Sequence, residues 1–331
     1  MEKEQVLLAI KKESEHIENR MKADLAELQP TIDGLLAEVL EYGLFNGGKR
    51  IRPFLVVMCS KLCGGNGDLV YRLACAFEYL HAATLFHDDI IDDSDTRRGC
   101  PTVCRRFGVS AAILAGDFLH AYAMSTVGRL SGDDGLKVFC EATTGMVDGE
   151  FVQLRNSRNY TLSELDYYDA IMGKTGLLIS AACEIGAMYG GGNDRQVRAL
   201  RCYGENLGCA FQIVDDLLDY QGDSKKTGKG VGNDFIEGKM TLPLIVAMKR
   251  AGADDRSHLL SLLSEKKKRK ARVVEVCSLI DKYNGFEVAR LKAGEAVDTA
   301  CGALSIFNDS SFAREKRLLE ELAFFVLTRE R

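Results

Sequence analysis

Proline is almost missing from this chain. Four occur in 331 residues, at Pro30, Pro53, Pro101 and Pro243, so Phe54–Cys100 and Thr102–Leu242 run without one. Proline removes a helix hydrogen bond and clashes with the preceding turn, and its scarcity leaves room for long helices. The apolar periodicity agrees: Leu73, Phe77, Leu80, Thr84 and His87 fall on one helical stripe, and so do Leu200, Tyr203, Leu207, Phe211 and Val214. Alternating strand patterns with hairpin turns do not appear. Glycines cluster between the periodic segments, at Gly64-Gly65, Gly190-Gly191-Gly192 and from Gly228 to Gly232, where they act as helix stops. The expected fold is all-α, a bundle of about ten or more helices. No Pro/Ser-rich linker, low-complexity tract or composition shift marks a boundary, so residues 1–331 are expected to form a single domain.

The charge balance narrows the function classes. A formal net charge of -5 argues against a nucleic-acid-binding protein, which would need an excess of lysine and arginine, so phosphate recognition has to be local. The basic run Lys266-Lys267-Lys268-Arg269-Lys270 reads as a solvated loop or helix start, with an anionic surface as the sharper alternative. The N-terminal stretch is charged and has no apolar core before a cleavage site. No stretch of about 18 apolar residues is found, so no transmembrane segment is expected and the default location is cytoplasmic. Eleven scattered cysteines suit a reducing compartment. Cys59 with Cys63, and Cys100 with Cys104, have helical i, i+4 spacing but lack a second pair that would complete a zinc site.

The pattern Asp-Asp-x-x-Asp occurs at Asp88 and again at Asp215, each time closing an apolar helix. Its first and last carboxylates lie four residues apart, one turn apart on the same helix face, close enough to share a cation. All-oxygen ligands of this kind select a hard ion such as magnesium, which keeps several waters and typically bridges to substrate phosphates. For either motif alone, an acidic solvated helix end is an equally good reading. The repetition favours two helices facing each other, with a diphosphate held between metal ions. Metal and cationic side chains would then stabilise charge on the departing oxygens of an allylic diphosphate. A second diphosphate would need cations elsewhere, and Gly47-Gly48-Lys49-Arg50-Ile51-Arg52-Pro53 offers close backbone approach together with lysine and arginine heads. Arg97-Arg98-Gly99, just past the first acidic motif, adds guanidinium groups.

These motifs resemble the trans-isoprenyl diphosphate synthases, over most of the chain and in that family's order. They run GGKRIRP at 47–53, HDDIIDDSDTRRG at 87–99, GEFVQ at 149–153, KT at 174–175, FQIVDDLLDYQGD at 211–223, GK at 228–229 and GKMTLP at 238–243. The stretch from His81 to Asp117 looks most like the polyprenyl members. The resemblance implies helices around a central cavity and three magnesium ions. Its metal set is Asp88, Asp89 and Asp92 with Asp215, Asp216 and Asp219. In that arrangement Asp88 and Asp92 face Asp215 and, more indirectly, Asp219. Arg97, Lys174 and Lys229 would neutralise the allylic diphosphate further, while Lys49, Arg52, His81 and Arg98 would bind isopentenyl diphosphate. Thr175, Gln212 and the carbonyl of Lys174 would face the developing cation. Lys239 and Asp234 lie in the segment that closes over the site in similar enzymes, and Gln153 borders the metals. For His81 the residues alone also allow a structural histidine.

The implied substrates are isopentenyl diphosphate and an allylic partner (dimethylallyl, geranyl or farnesyl diphosphate), and similar enzymes are usually homodimers. Hydrocarbon growth in this family is stopped by bulk upstream of the first acidic motif. Here the fifth and fourth residues before Asp88 are the small Ala83 and Thr84, so a product longer than farnesyl (C20 or more) is expected. Phe118 and Tyr122 are candidate floors further down, or ordinary core residues. A farnesyl diphosphate synthase, a class I terpene cyclase and an inactive partner subunit are the rival readings. The cyclase would replace the second aspartate motif and would not need GGKRIRP, and the subunit would have lost aspartates that this chain keeps.

Overall fold

The computed structural model describes residues 3–156, 159–222 and 231–329, with side chains in the first helix described from Leu8. Lys229 and its neighbours in the GK motif lie outside the described residues. The chain is all-α, as the proline and glycine pattern predicts. The one sheet among the described residues is a hairpin of two-residue strands, β1 (Thr96–Arg97) and β2 (Cys100–Pro101). The chain comprises two compact units. The first comprises Met1–Glu141, Ala181–Arg201 and Ile306–Glu321; the second comprises Ala142–Ser180, Cys202–Ser305 and Leu322–Arg331.

The first unit is built on α1 (Lys3–Leu28), α2 (Gly34–Leu44), α3 (Ile51–Leu62) and α4 (Leu69–Ile91), followed by the short α5 (Val103–Phe107) and the first part of α6 (Val109–Asn156). Asp33 starts α2 by accepting from the Leu35 amide at 2.8 Å, and Thr102 starts α5 in the same way through the Arg105 amide. Leu73, Phe77 and Leu80 of the expected stripe are buried, whereas Thr84 and His87 remain partly exposed. Phe77 meets Phe139 edge to face at 5.3 Å. α6 bends at Gly132, whose φ of 68° is outside helical space. Gly64 (φ 93°) and Gly191 (φ 81°) end their helices in the left-handed region, as the glycine clusters predict.

The second unit contains the rest of α6, then α7 (Glu164–Ile171), which opens on a capping box between Ser163 and Asp166. A π-helical turn, Met172–Gly176, joins α7 to α8 (Leu177–Tyr189). α9 (Asp194–Gln221) follows, then α10 (Asn233–Glu237), α11 (Leu242–Arg250), α12 (Ala253–Ser264), α13 (Arg269–Lys282), α14 (Gly285–Ala303) and the final helix α15 (Ala313–Thr328); of these helices, Ala181–Tyr189 of α8, Asp194–Arg201 of α9 and Ala313–Glu321 of α15 belong to the first unit. Among the described residues one stretch, Glu164–Tyr189, is long and apolar enough to cross a membrane. Its apolar window is 72% buried within the protein, as in a core helix.

The basic run departs from a purely solvated loop. Lys266, Lys267, Lys268 and Lys270 are exposed, but Arg269 is buried. Its guanidinium donates to the carbonyls of Leu263 and Ile236 and to the Tyr160 hydroxyl, the last at 2.8 Å. It satisfies a helix-end carbonyl that would otherwise be orphaned. Charge density alone gives no sign that the fourth of five basic residues turns inward.

Candidate active site

The first acidic motif closes α4. Asp92 caps the helix, Asp93 adopts a left-handed φ of 49°, and the Ser94 amide donates back to the Asp89 carbonyl at 3.0 Å. This 6→1 bond is a Schellman-type stop, with aspartate in the position that glycine usually takes. Asp88, Asp89, Asp92, Asp93 and Asp95 therefore crowd at the negative end of a helix dipole, where cations are favoured. Arg97 takes Asp89 in a forked pair, with N···O distances of 2.8–3.1 Å, and Asp89 is buried. Arg105 reaches both Asp93 and Asp95 at 2.7 Å. Asp88 is partly exposed and Asp92 fully exposed, one turn apart.

A cationic cluster belongs to the same unit. The β1–β2 hairpin turns on Arg98 (φ 53°) and Gly99 (φ 81°), both left-handed, the conformation a two-residue hairpin loop demands. The Arg98 guanidinium donates to the Gly47 carbonyl, which ties the hairpin tip to the glycine loop. Arg50, also left-handed (φ 50°), turns inward, where it pairs with buried Glu78 at 2.5 Å and donates to the Leu44 carbonyl at 2.6 Å. Lys49 is exposed and Arg52 half-buried. His81 keeps some exposed edge yet is enclosed by protein on most sides. Burial, followed by the charges of Arg52, Arg98, Arg97 and Arg50, holds its pKa well below the ordinary histidine value. Arg98 is depressed as well, by burial of its head and by Arg50 and Arg97, with Glu78 opposing.

The second unit holds the other predicted residues. Lys174 and Thr175 sit in the π turn, a distortion often found at functional sites. Glycine pairs let that turn pack closely: a Cβ on Gly173 would lie 2.9 Å from the Gly149 Cα, and one on Gly208 would lie 2.7 Å from the Gly176 Cα. Lys174 pairs with Glu150 at 2.8 Å and reaches the Gln153 amide oxygen at 3.5 Å. Thr175 donates to the Gln212 Oε1 at 2.8 Å, Gln212 Nε2 donates to Asp216 Oδ1 at 2.9 Å, and the Tyr167 hydroxyl donates to Asp216 Oδ2 at 2.6 Å. With both ends of its amide engaged, Gln212 has one orientation. Asp216 is buried, and desolvation, then the neighbouring Asp234 charge, push its pKa up to about 8 against the pull of Tyr167 and Gln212.

Asp219 is buried and accepts from the Asp234 amide at 2.9 Å. The Lys239 amide donates to the Asp234 carbonyl at 2.8 Å, and its ammonium pairs with Glu237 at 2.6 Å and with Asp234 at 3.6 Å. Asp215 is paired with Arg329. Among the described residues no three His, Cys, Asp or Glu side chains converge into a ready-made metal cage. The donors present are carboxylates at helix ends, which suit magnesium: that ion is held by one or two carboxylates and completes its shell with water and substrate phosphate.

Sequence reasoning does not single out Tyr167, Glu78, Glu150 or Arg329. The flanking glycines of Gly173-Lys174-Thr175-Gly176 are the one local signal for the π turn.

An all-helical chain with carboxylates at helix ends and clustered arginines suits a ligand that carries phosphate groups. The sequence profile of the family described as Polyprenyl synthetase matches residues 33–280. An octaprenyl diphosphate synthase from Haemophilus influenzae is 35% identical over 305 residues, covering 92% of this chain and 91% of that one. The crystal structure of a geranylgeranyl pyrophosphate synthetase from Pyrococcus horikoshii superposes with a TM-score of 0.88 at 34% identity, covering 99% of both chains. A polyprenyl synthase from Caulobacter crescentus, solved in complex with calcium and isoprenyl diphosphate, gives 0.83 at 34% identity, covering 96% of this chain and 98% of that one. The chain belongs to the polyprenyl synthetase family and is a prenyltransferase.

Proposed function

We propose that the protein condenses isopentenyl diphosphate with an allylic diphosphate and releases a polyprenyl diphosphate of twenty carbons or more for isoprenoid biosynthesis. The observation that carries this reading is the crowding of Arg50, Arg52, Arg97 and Arg98 around His81. Arg50 is matched by Glu78 and Arg97 by Asp89, and four guanidinium groups gathered this closely still favour a bound diphosphate. In this reading Lys49, Arg52, His81 and Arg98 seat isopentenyl diphosphate. Asp88 and Asp92, and Asp215 with Asp219, would hold magnesium, three ions with substrate bound, and Arg97, Lys174 and Lys229 would neutralise the allylic diphosphate further, while Lys239 lies in the closing segment. Asp89 and Asp216, each buried and hydrogen-bonded, would complete the metal set.

Magnesium, when bound, would neutralise the charge that builds on the departing diphosphate. The protein's part is to expose the Lys174 carbonyl, the Thr175 hydroxyl and the oriented Gln212 amide to the allylic cation. The allylic C–O bond breaks, the isopentenyl double bond forms the new C–C bond at that carbon, and a proton leaves to the released diphosphate. Phe118 and Tyr122 stack at 6.1 Å, and Tyr122 meets Tyr79 at 5.5 Å, which supports an aromatic stop for the growing chain. We further propose that the chain works as one domain, since α6 and α9 each supply residues to both units, and that it acts in the cytoplasm, a reducing compartment that suits its eleven scattered cysteines.

The test is an isopentenyl condensation assay with farnesyl diphosphate, with and without magnesium, followed by chromatography of the product. Magnesium-dependent products beyond fifteen carbons are expected, lengthened by Phe118→Ala or Tyr122→Ala. A product stopping at fifteen carbons would defeat the length assignment. Release of hydrocarbon would mark a cyclase, and inertness a partner subunit.

A further inference from the structure

The last described residue of the chain reaches back to the second acidic motif. α15 is anchored through buried Leu322, Ala323 and Val326, which fixes the direction in which its end points. Arg329 follows directly, and its side chain is only 9% exposed. Its guanidinium lies 3.9 Å from the centroid of the Phe211 ring, donates to the Phe211 carbonyl at 2.9 Å and donates to Asp215 Oδ1 at 2.6 Å. Phe211 and Asp215 are one turn apart on α9, so a single planar cation clamps ring, carbonyl and carboxylate of consecutive turns. Asp215 itself stays a third exposed, at 34%.

We propose that Arg329 is a positioning residue for Asp215: it holds one carboxylate oxygen from the buried side so that the exposed part of the group is pre-oriented for a magnesium–diphosphate complex. This rests on the prenyl-diphosphate reading above. A carboxylate ligand that must first be frozen into place binds a metal less well than one already held, and outer-shell partners of metal ligands act in this way. The guanidinium is buried and stacked, so it orients Asp215 and does not act as a loose counter-ion that the metal would displace. Lysine could supply the charge but neither the flat stacking nor the fork.

The experiment titrates the purified full chain with farnesyl thiodiphosphate, an unreactive allylic analogue, at a series of magnesium concentrations. The Arg329→Gln variant is expected to need on the order of 10-fold more magnesium for half-maximal binding. Its KM for isopentenyl diphosphate should be unchanged while kcat falls, a split that general loosening of the fold would not produce. Arg329→Lys should recover part of the loss. If Arg329→Gln fails to fold by circular dichroism, Phe211→Leu carries the test, with a smaller shift in the same direction. A magnesium requirement equal to wild type overturns the proposal. So does a lower one, which would mean that the guanidinium competes with the metal. Wild-type binding that ignores magnesium would instead overturn the reading on which the proposal rests.

Discussion

At the scale of single residues, the two acidic motifs treat their middle aspartates alike. Asp89 and Asp216 are buried and tied to partners, Arg97 for the first and Tyr167 with Gln212 for the second. In the first motif spacing explains this, because the second residue lies about 100° around the helix from the first, off the face that the first and last share; in the second motif Asp219 is buried as well. His81 gives a measurable pH effect. Its folded pKa is held below the ordinary value, so the unfolded chain binds the proton first as pH falls, and stability is lost from about pH 6.5 downward. Urea midpoints measured at pH 7.5 and pH 5.5 should therefore fall more in wild type than in His81→Gln. An equal fall in both would mean that the imidazole is not enclosed in solution.

Among elements, the informative ones are helix ends and the π turn. Gly173 has no room for a methyl group, because a Cβ would press on the backbone of Gly149 at 2.9 Å. Gly173→Ala is expected to cost about 1–3 kcal/mol of stability by overpacking. Its kcat should drop by more than its KM rises, since Lys174 and Thr175 lie in the displaced turn; denaturation and steady-state kinetics check both. The helices themselves were legible beforehand. Missing prolines give α4, α6 and α9 their length, and Gly64 and Gly191 give their neighbours an end. The π turn was not legible, because a helix with one residue too many keeps the same apolar content and only its phase changes. Arg329 was equally hidden: its partner Asp215 is 114 residues away, and an arginine in the run Thr328-Arg329-Glu330-Arg331 carries no local pattern. Arg269 was concealed by its own neighbours, four exposed lysines that made the run look uniformly solvated.

For the molecule as a whole, the surface speaks to assembly. Val147, Phe151 and Leu154 form an exposed apolar stripe on α6 at i, i+4 and i+7, with Phe151 67% exposed. Val109, Ile113 and Leu114 near the start of the same helix are exposed too. Such stripes suit the homodimer that the family resemblance implies, for which sedimentation should give about twice the chain mass of 36.5 kDa. Phe151→Glu should shift the protein toward monomer, and a variant that stays dimeric would place the interface elsewhere. The π turn also makes the chain sensitive to its own length. Met172–Gly176 takes one residue more than an α-helix would, and a single residue is worth about 100° of rotation. Deleting any one of these five residues would heal the helix, yet it would swing α7 around and carry Tyr167 away from Asp216. A count of residues, which no substitution scan would reveal, is therefore part of what this enzyme has to preserve.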